Sequence, residues 1–176
     1  MPRARFKPEP PIYTFRVRML GGFYAPPDAD KIWREIEVAA NQPLAELGEA
    51  IPFAFAFDDP HLWSFFLSGE AWDSATEYGL VESQGDFMAE AAPGKATRTL
   101  IRDVPYPAKD GTGEFLFLFD FGDEWHFGVQ LVRTAEAADA KAHYPRVVAS
   151  DGEAPPQYPD FDEEDWDEEE DEADAD

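Results

Sequence analysis

The sequence predicts an α+β fold: a single domain with a mostly antiparallel or mixed sheet, a central aromatic β-hairpin, and one main helix packed on one face. Three patterns support this fold. Apolar residues alternate with a period of two over residues 12–20, 31–38 and 115–132, which is typical of strands. One stretch, after Asn41, has helical spacing instead. With 176 residues, 44% of them hydrophobic, the chain can bury one large core but hardly two.

The N-terminal part predicts an arm followed by two strands. Residues 1–11 hold four prolines and four charged side chains, so we expect a flexible arm. The domain should then occupy residues 12–159. Residues 12–20 alternate as a half-buried strand and residues 31–38 repeat the pattern, so the two strands are expected to pair antiparallel.

The main helix is predicted to begin near Asn41, a favourable N-cap residue, with Pro43 in its first turn. Pro52 should kink this helix or end it early, because proline lacks the amide proton that a helix needs. The apolar residues at helical spacing are Leu44, Leu47, Ile51 and Phe55.

The middle of the chain gives a clear signal only at residues 61–67, a predicted strand with alternate residues on one face. Those residues are His61, Trp63, Phe65 and Leu67. Residues 68–96 are interrupted by glycine and proline and are interpreted as a surface excursion. Residues 98–104 fit a short strand or one helical turn.

Beyond the hairpin, the alanine-rich residues 135–143 predict a short helix, and residues 144–148 a return to extended structure. The sequence EAPPQYP, residues 153–159, is then predicted to leave the domain as an extended, polyproline-like segment. Residues 160–176 contain 13 acidic residues among 17 and are expected to be a disordered acidic tail.

The hairpin also predicts a register. A three-residue loop at 122–124 would pair Phe121 with Trp125 and Phe119 with Phe127, collecting the large apolar side chains on one face. The same register sets Asp120 across from His126 on the other face.

Charge and composition exclude several functions. The net charge is −24, and residues 151–176 hold 15 acids and no base. No basic stripe is available for phosphates, so we expect no direct DNA binding. Cysteine is absent, which excludes disulfides and thiolate chemistry. No long apolar run occurs, so we expect no membrane contact and a cytoplasmic location.

Several segments together resemble the plasmid pRiA Orf-three-like family, whose members are also described as insertion-element passenger proteins of TnpR type. They are IWREIEVAANQPLAELGEAI, HLWSFFL, FLFDFGDEW and YPRVV followed by APPQYP. The resemblance covers roughly residues 12–159. It implies a compact α+β domain linked to mobile elements, without an established activity.

The chain departs from the family pattern at polar positions. The family often has Leu-His-x-x-Ile-Gln in its helix, where Gly48 and Pro52 replace the histidine and the glutamine. It often has Trp-x-His after DFGD, where this chain has Phe127. After the two prolines it often continues with acidic residues and glycine, where this chain has Gln157. A polar site built from those histidines would be incomplete here.

Two sets of side chains are candidates for chemistry. Asp120, Asp123 and His126 could hold a metal ion whose bound water performs hydrolysis. The alternative is a structural carboxylate–histidine pair beside a turn aspartate. We prefer the alternative, because a hydrolytic site normally needs more ligands. We therefore commit to no catalytic residue, metal or cofactor.

A second set could bind a ligand. Trp33 and Arg34 could stack on or clamp a flat anionic group. His61 is a further possible ligand-binding residue, and it could complete the site of Asp120, Asp123 and His126 only if its strand neighbours the hairpin. The alternative is a buried tryptophan beside a rim arginine that pairs with Glu35 or Glu37 on a neighbouring strand. We prefer this structural alternative as well.

The acidic tail could bind a basic protein, with Phe161 and Trp166 as apolar anchors among the charges. Its alternative role is to keep the protein soluble. The leading hypothesis is thus a non-enzymatic accessory or protein-interaction module of mobile-element origin. The competing hypothesis is a small metal-assisted hydrolase.

Overall fold

The computed structural model describes residues 6–82, 92–107 and 113–159, and within these ranges seven strands form one antiparallel sheet. The strands are β1 (Ile12–Gly21), β2 (Trp33–Ala39), β3 (Trp63–Phe66), β4 (Glu77–Gly79), β5 (Glu114–Phe119), β6 (Trp125–Ala135) and β7 (Arg146–Asp151). Their order across the sheet is β4-β3-β5-β6-β1-β2-β7. The helices are α1 (Leu44–Ala54) and the short α2 (Lys95–Arg98), and 3-10 turns occupy Ala29–Lys31 and Ile101–Asp103.

The core lies between one face of the sheet and α1. The alternating apolar residues of β1, among them Phe15 and Val17, are fully buried on this face. Helix α1 turns Leu44, Leu47 and Ile51 toward them. As expected from the sequence, β1 and β2 pair antiparallel.

The opposite face of β1 and β2 carries an ion-pair network. The carboxylate of Glu35 is 2.7 Å from Arg16 and 2.9 Å from Arg133. Glu35 is only 5% exposed, so the two guanidinium groups replace the water that its charge has lost.

The predicted N-cap of α1 is wrong. The N-cap position belongs to Pro43, and the first helical amide, that of Leu44, donates to the carbonyl of Thr99. The side chain of Asn41 instead binds the N-terminal segment, accepting from the amide of Glu9 and donating to the carbonyl of Lys7. The helix also continues through Pro52 to Ala54, because a proline in the last turn removes only one backbone bond.

The predicted hairpin register is also wrong, by two residues. Phe119 pairs with Trp125 and Phe117 with Phe127, so the connection spans residues 120–124. A shift of two keeps every side chain on its predicted face, and the aromatic residues of both strands are buried. Phe121 leaves the core and packs on Trp72, with ring centroids 5.0 Å apart.

Other segments differ from their predictions in smaller ways. Residues 136–143 form turns in place of the predicted helix, because the Asp139 carboxylate binds the Lys141 amide and the Tyr144 hydroxyl binds the Asp139 amide. Such side-chain bonds compete with helical ones. The described parts of the predicted excursion contain β4 and α2. Residues 1–5, 83–91 and the predicted tail at 160–176 lie outside the described ranges.

Candidate functional site

Polar side chains meet where the segment before β3 approaches the end of β5. The imidazole Nε2 of His61 is 2.6 Å from the Tyr158 hydroxyl and 3.3 Å from Oδ2 of Asp120. It is 3.6 Å from Oδ2 of Asp59, which accepts a hydrogen bond of 3.0 Å from the Tyr158 hydroxyl. We call these four residues and Gln157 the His61 cluster. The Tyr158 hydroxyl donates to Asp59, so the Nε2–H tautomer of His61 is the one that suits its contacts with the phenol oxygen and Asp120.

The backbone fixes Asp120 in this cluster. Its Oδ1 accepts hydrogen bonds from the amides of Gly122 and Asp123, at 3.0 and 3.3 Å. Its own amide donates to the carbonyl of Leu62. Asp120 has a positive φ of 59°, which an aspartate tolerates better than most residues. Only Oδ2 remains directed at His61, so the side chain is held rigidly in one orientation.

The C-terminal segment docks onto the same place. The Gln157 side chain makes two hydrogen bonds of 3.0 Å with the backbone of Asp59, one to its carbonyl and one from its amide. Gln157 is 6% exposed. Burial, the hydrogen bond to Asp59 and the nearby carboxylates raise the pKa of Tyr158 to about 12. The phenol is therefore a neutral hydrogen-bond donor at physiological pH. The hydrogen bonds of Gln157 and Tyr158 hold the C-terminal segment against the domain.

The cavity beside the cluster is small. Its volume is about 50 Å³, and Phe57, Trp63 and Phe119 are among its lining residues. Pockets that bind small molecules usually measure about 300–1,000 Å³. This one has room for a water molecule or two, and the hydrogen bonds of the cluster tie the C-terminal segment to the residues before β3.

The structure brings Asp120 and Asp123 together in one turn, but it does not pair His126 with Asp120. His126 pairs with Leu118 on β5 and with Gly21 on β1, two positions away from the predicted pairing with Asp120. The ion pair of Asp120 is with His61. Within the described ranges, no group of three or more histidine or acidic residues is arranged to hold a metal ion.

Trp33 and Arg34 do not form a clamp either. They are neighbours on β2, so their side chains point to opposite faces. The Arg34 guanidinium donates to the carbonyls of Ala54, Trp33, Asp151 and Gly152 at 2.8–3.1 Å. It therefore joins the end of α1 to β7. Burial lowers the pKa of Arg34, and the charge of Asp151 opposes this effect. Trp33 lies under the guanidinium of Arg16, 4.4 Å from the ring centroid.

Comparison with known proteins decides the family. The family model described as plasmid pRiA4b ORF-3-like protein matches residues 14–161. The chain belongs to this family. The solved structures include a similar fold, the protein of unknown function MM3350 from Methanosarcina mazei Go1. The TM-score is 0.57 at 23% identity, covering 83% of this chain and 72% of that one. No curated protein matches.

Two positions that differ from the usual pattern of the pRiA4b ORF-3-like family lie in the core. Gly48 lies against the ring of Trp63, and Phe127 is fully buried against Phe55, with ring centroids 4.8 Å apart. Apolar packing thus surrounds both positions. His61 and Asp120 keep their polar contacts.

Sequence reasoning singled out His61 and Asp120 but missed Asp59, Gln157 and Tyr158. The available signal was the pair of family motifs HL (residues 61–62) and PP (residues 155–156). These motifs mark the two segments but do not show that the segments touch. In the described part of the chain, no helix is long and apolar enough to cross a bilayer.

Proposed function

We propose that this protein is a non-enzymatic accessory module that binds a basic partner protein, with residues 160–176 as one contact. The family name is consistent with an origin in a plasmid or insertion element. The proposal places the protein in the cytoplasm, where such a partner would be met.

One observation carries the proposal: the acidic segment starts from a fixed point. Gln157 and Tyr158 are held by the His61 cluster, so the chain reaches residue 160 from a defined place on the domain. The exposed carboxylates of Asp58 and Asp59 lie at this place. Together they extend the negative charge of residues 160–176 onto the folded surface.

Electrostatics supports a basic partner. Thirteen acidic residues in 17 create a strong negative potential that accelerates encounter with a positively charged protein. Salt should weaken the association, since the screening length is only about 8 Å at physiological ionic strength. Phe161 and Trp166 would add apolar contacts once the charges have met.

The test keeps the chain at full length. In one variant, every Asp and Glu from 160 to 176 becomes Asn or Gln. The probe is the synthetic peptide acetyl-Lys-Lys-Ser-Gly-Lys-Lys-amide, and its Kd is measured by calorimetry across a salt series. We expect binding that weakens steeply with salt and is lost in the neutralised variant. Equal binding by both proteins would rule out the tail as the contact.

A further inference from the structure

Helix α1 has a second face that the core covers only in part. Five of its residues, at spacings of three and four, line a groove between α1 and β7. They are Glu46, Glu49, Ala50, Phe53 and Ala54. The opposite wall comes from Pro145, Arg146 and Val147. The volume is about 350 Å³, within the range of ligand pockets. We call this space the α1–β7 groove.

The walls of the groove carry two exposed apolar side chains. Phe53 is 75% exposed and Val147 49% exposed. A large aromatic side chain left in water beside other apolar groups is typical of an interaction site. Burying it against a partner would release the water that covers it.

The rim of the groove is acidic. Glu46 and Glu49 are both exposed on the α1 side. The one cation of the lining, Arg146, is already paired, with Nε 2.8 Å from Glu37 and a second contact of 3.6 Å to Asp139. The balance of charge at the groove is therefore negative.

This geometry selects among possible occupants. A further strand on β7 is disfavoured, because Val148 forms a bulge opposite β2 and bulges at sheet edges hinder strand addition. The acidic tail of the same chain, or a second copy of this acidic protein, would bring negative charge toward Glu46 and Glu49. A basic segment with an apolar side chain meets both requirements.

We propose that the α1–β7 groove binds a basic segment of a partner protein, which inserts an apolar side chain beside Phe53 and places its positive charges on Glu46 and Glu49. This inference rests on the proposed function, because it adds the folded docking site for the same basic partner.

The groove is close to the place where Gln157 and Tyr158 dock. Glu49 and Phe53 line the groove on one side of α1 and, on the other, the small cavity beside His61 and Asp59. The docked residues Gln157 and Tyr158, which directly precede the acidic tail in the sequence, therefore lie only one helix away from the groove. A partner held in the groove would meet the tail at a high effective concentration.

The experiment compares two peptides on the full-length protein. The first is acetyl-Lys-Lys-Leu-Phe-Lys-Lys-amide, and the second is the Ser-Gly peptide of equal charge. The groove predicts that the apolar peptide binds about tenfold more tightly, the effect of burying an aromatic side chain. Phe53→Ser should remove this preference. Val147→Ser, on the other wall, should reduce it.

The matched control is Phe23→Ser. Phe23 is 78% exposed and does not line the groove, so this variant should keep the full preference. Equal affinity of the wild type for both peptides would overturn the groove and leave the tail proposal intact. A preference that survives Phe53→Ser but is lost when Phe161 and Trp166 become Ser would also overturn it, since the tail would then hold the apolar side chain. If the wild-type protein did not bind the Ser-Gly peptide, the proposed function itself would be overturned.

Discussion

The indole ring of Trp63 lies so close to the α-carbon of Gly48 that a β-carbon at this position would overlap the ring. Trp63 is 2% exposed, so the ring has no open space into which it could turn. Glycine in α1 therefore allows β3 and the helix to approach. A larger side chain at this position, such as histidine, could not coexist with the ring in its present place.

Gly48→Ala should therefore destabilise the domain, although alanine is the better helix former. The helical preference favours alanine by about 1 kcal/mol, and overpacking in a core costs about 1–3 kcal/mol. We expect a net loss of up to about 2 kcal/mol in the free energy of unfolding, measured by urea denaturation.

Two further variants test the cause of this loss. Gly21→Ala is the control, because a β-carbon there has no atom within 4 Å and should change stability by less than about 0.5 kcal/mol. Trp63→Leu removes the ring, and in that background Gly48→Ala should be neutral or stabilising. A loss that persists without the ring would show that the contact is not its cause.

Phe119→Ala should cost about 3–5 kcal/mol, as large aromatic truncations in cores do. Phe119 is 2% exposed and packs against Phe57 and His61, at centroid distances of 6.2 and 5.8 Å. Phe23→Ala is the exposed control and should stay within about 0.5 kcal/mol of wild type. A loss below about 1 kcal/mol for Phe119→Ala would contradict its place in the core.

Tyr158 should titrate near pH 12, as its raised pKa requires. The folded state prefers the neutral phenol, so its contribution to stability is complete below pH 10 and is lost as the pH rises through about 12. NMR of ring-labelled tyrosine, assigned with Tyr158→Phe, measures this pKa. Asp59→Asn should lower it, because the hydrogen bond to a charged acceptor is lost. A value near 10 in the wild type would mean that the His61 cluster does not form.

The ion pairs of Glu35 should make the stability of the domain depend on pH in the acidic range. Burial alone would raise its pKa, but the hydrogen bonds and charges of Arg16 and Arg133 outweigh burial and lower the pKa from its ordinary value of 4.5. The stabilisation is present above this value and is lost as the pH falls through the lower folded pKa. Glu35→Gln should cost about 1–2 kcal/mol at pH 7.

The difference between Glu35→Gln and the wild type should narrow below pH 4. Glu153→Gln, at an exposed site, should match the wild type throughout in thermal unfolding over the pH series. If the stability difference between the wild type and Glu35→Gln stayed constant down to pH 2, the stabilisation would not depend on the ionisation of Glu35.

The alternation of apolar residues was enough to predict β1, β2 and the faces of the hairpin, because burial on one face demands that pattern. It could not fix the register, since a shift by two residues leaves the faces unchanged. The decisive interaction was the turn of Asp120, whose carboxylate binds the Gly122 and Asp123 amides. Such a turn depends on a local conformation with positive φ rather than on periodicity.

The candidate site was less predictable because it is tertiary. Asp59 and Tyr158 are far apart in the sequence, and their hydrogen bond leaves no mark on local spacing. Asn41 shows the same limit: its side chain was available to cap α1, but it binds the segment around Lys7 and Glu9. Local rules name the residues that can form a bond and do not choose between competing partners.

The position of β1 in the sheet has a consequence for how the protein is made. Val17 pairs with Arg34 on one side and with Val129 on the other. The second of these pairs cannot form until β6 has been synthesised, about 110 residues after β1. Sheets dominated by such distant pairs fold slowly, on the millisecond-to-second scale. Until β6 leaves the ribosome, the nascent β1–β2 hairpin presents an open, apolar edge to its surroundings. The interval of greatest exposure to misassembly therefore lies during translation, between the emergence of β2 and that of β6.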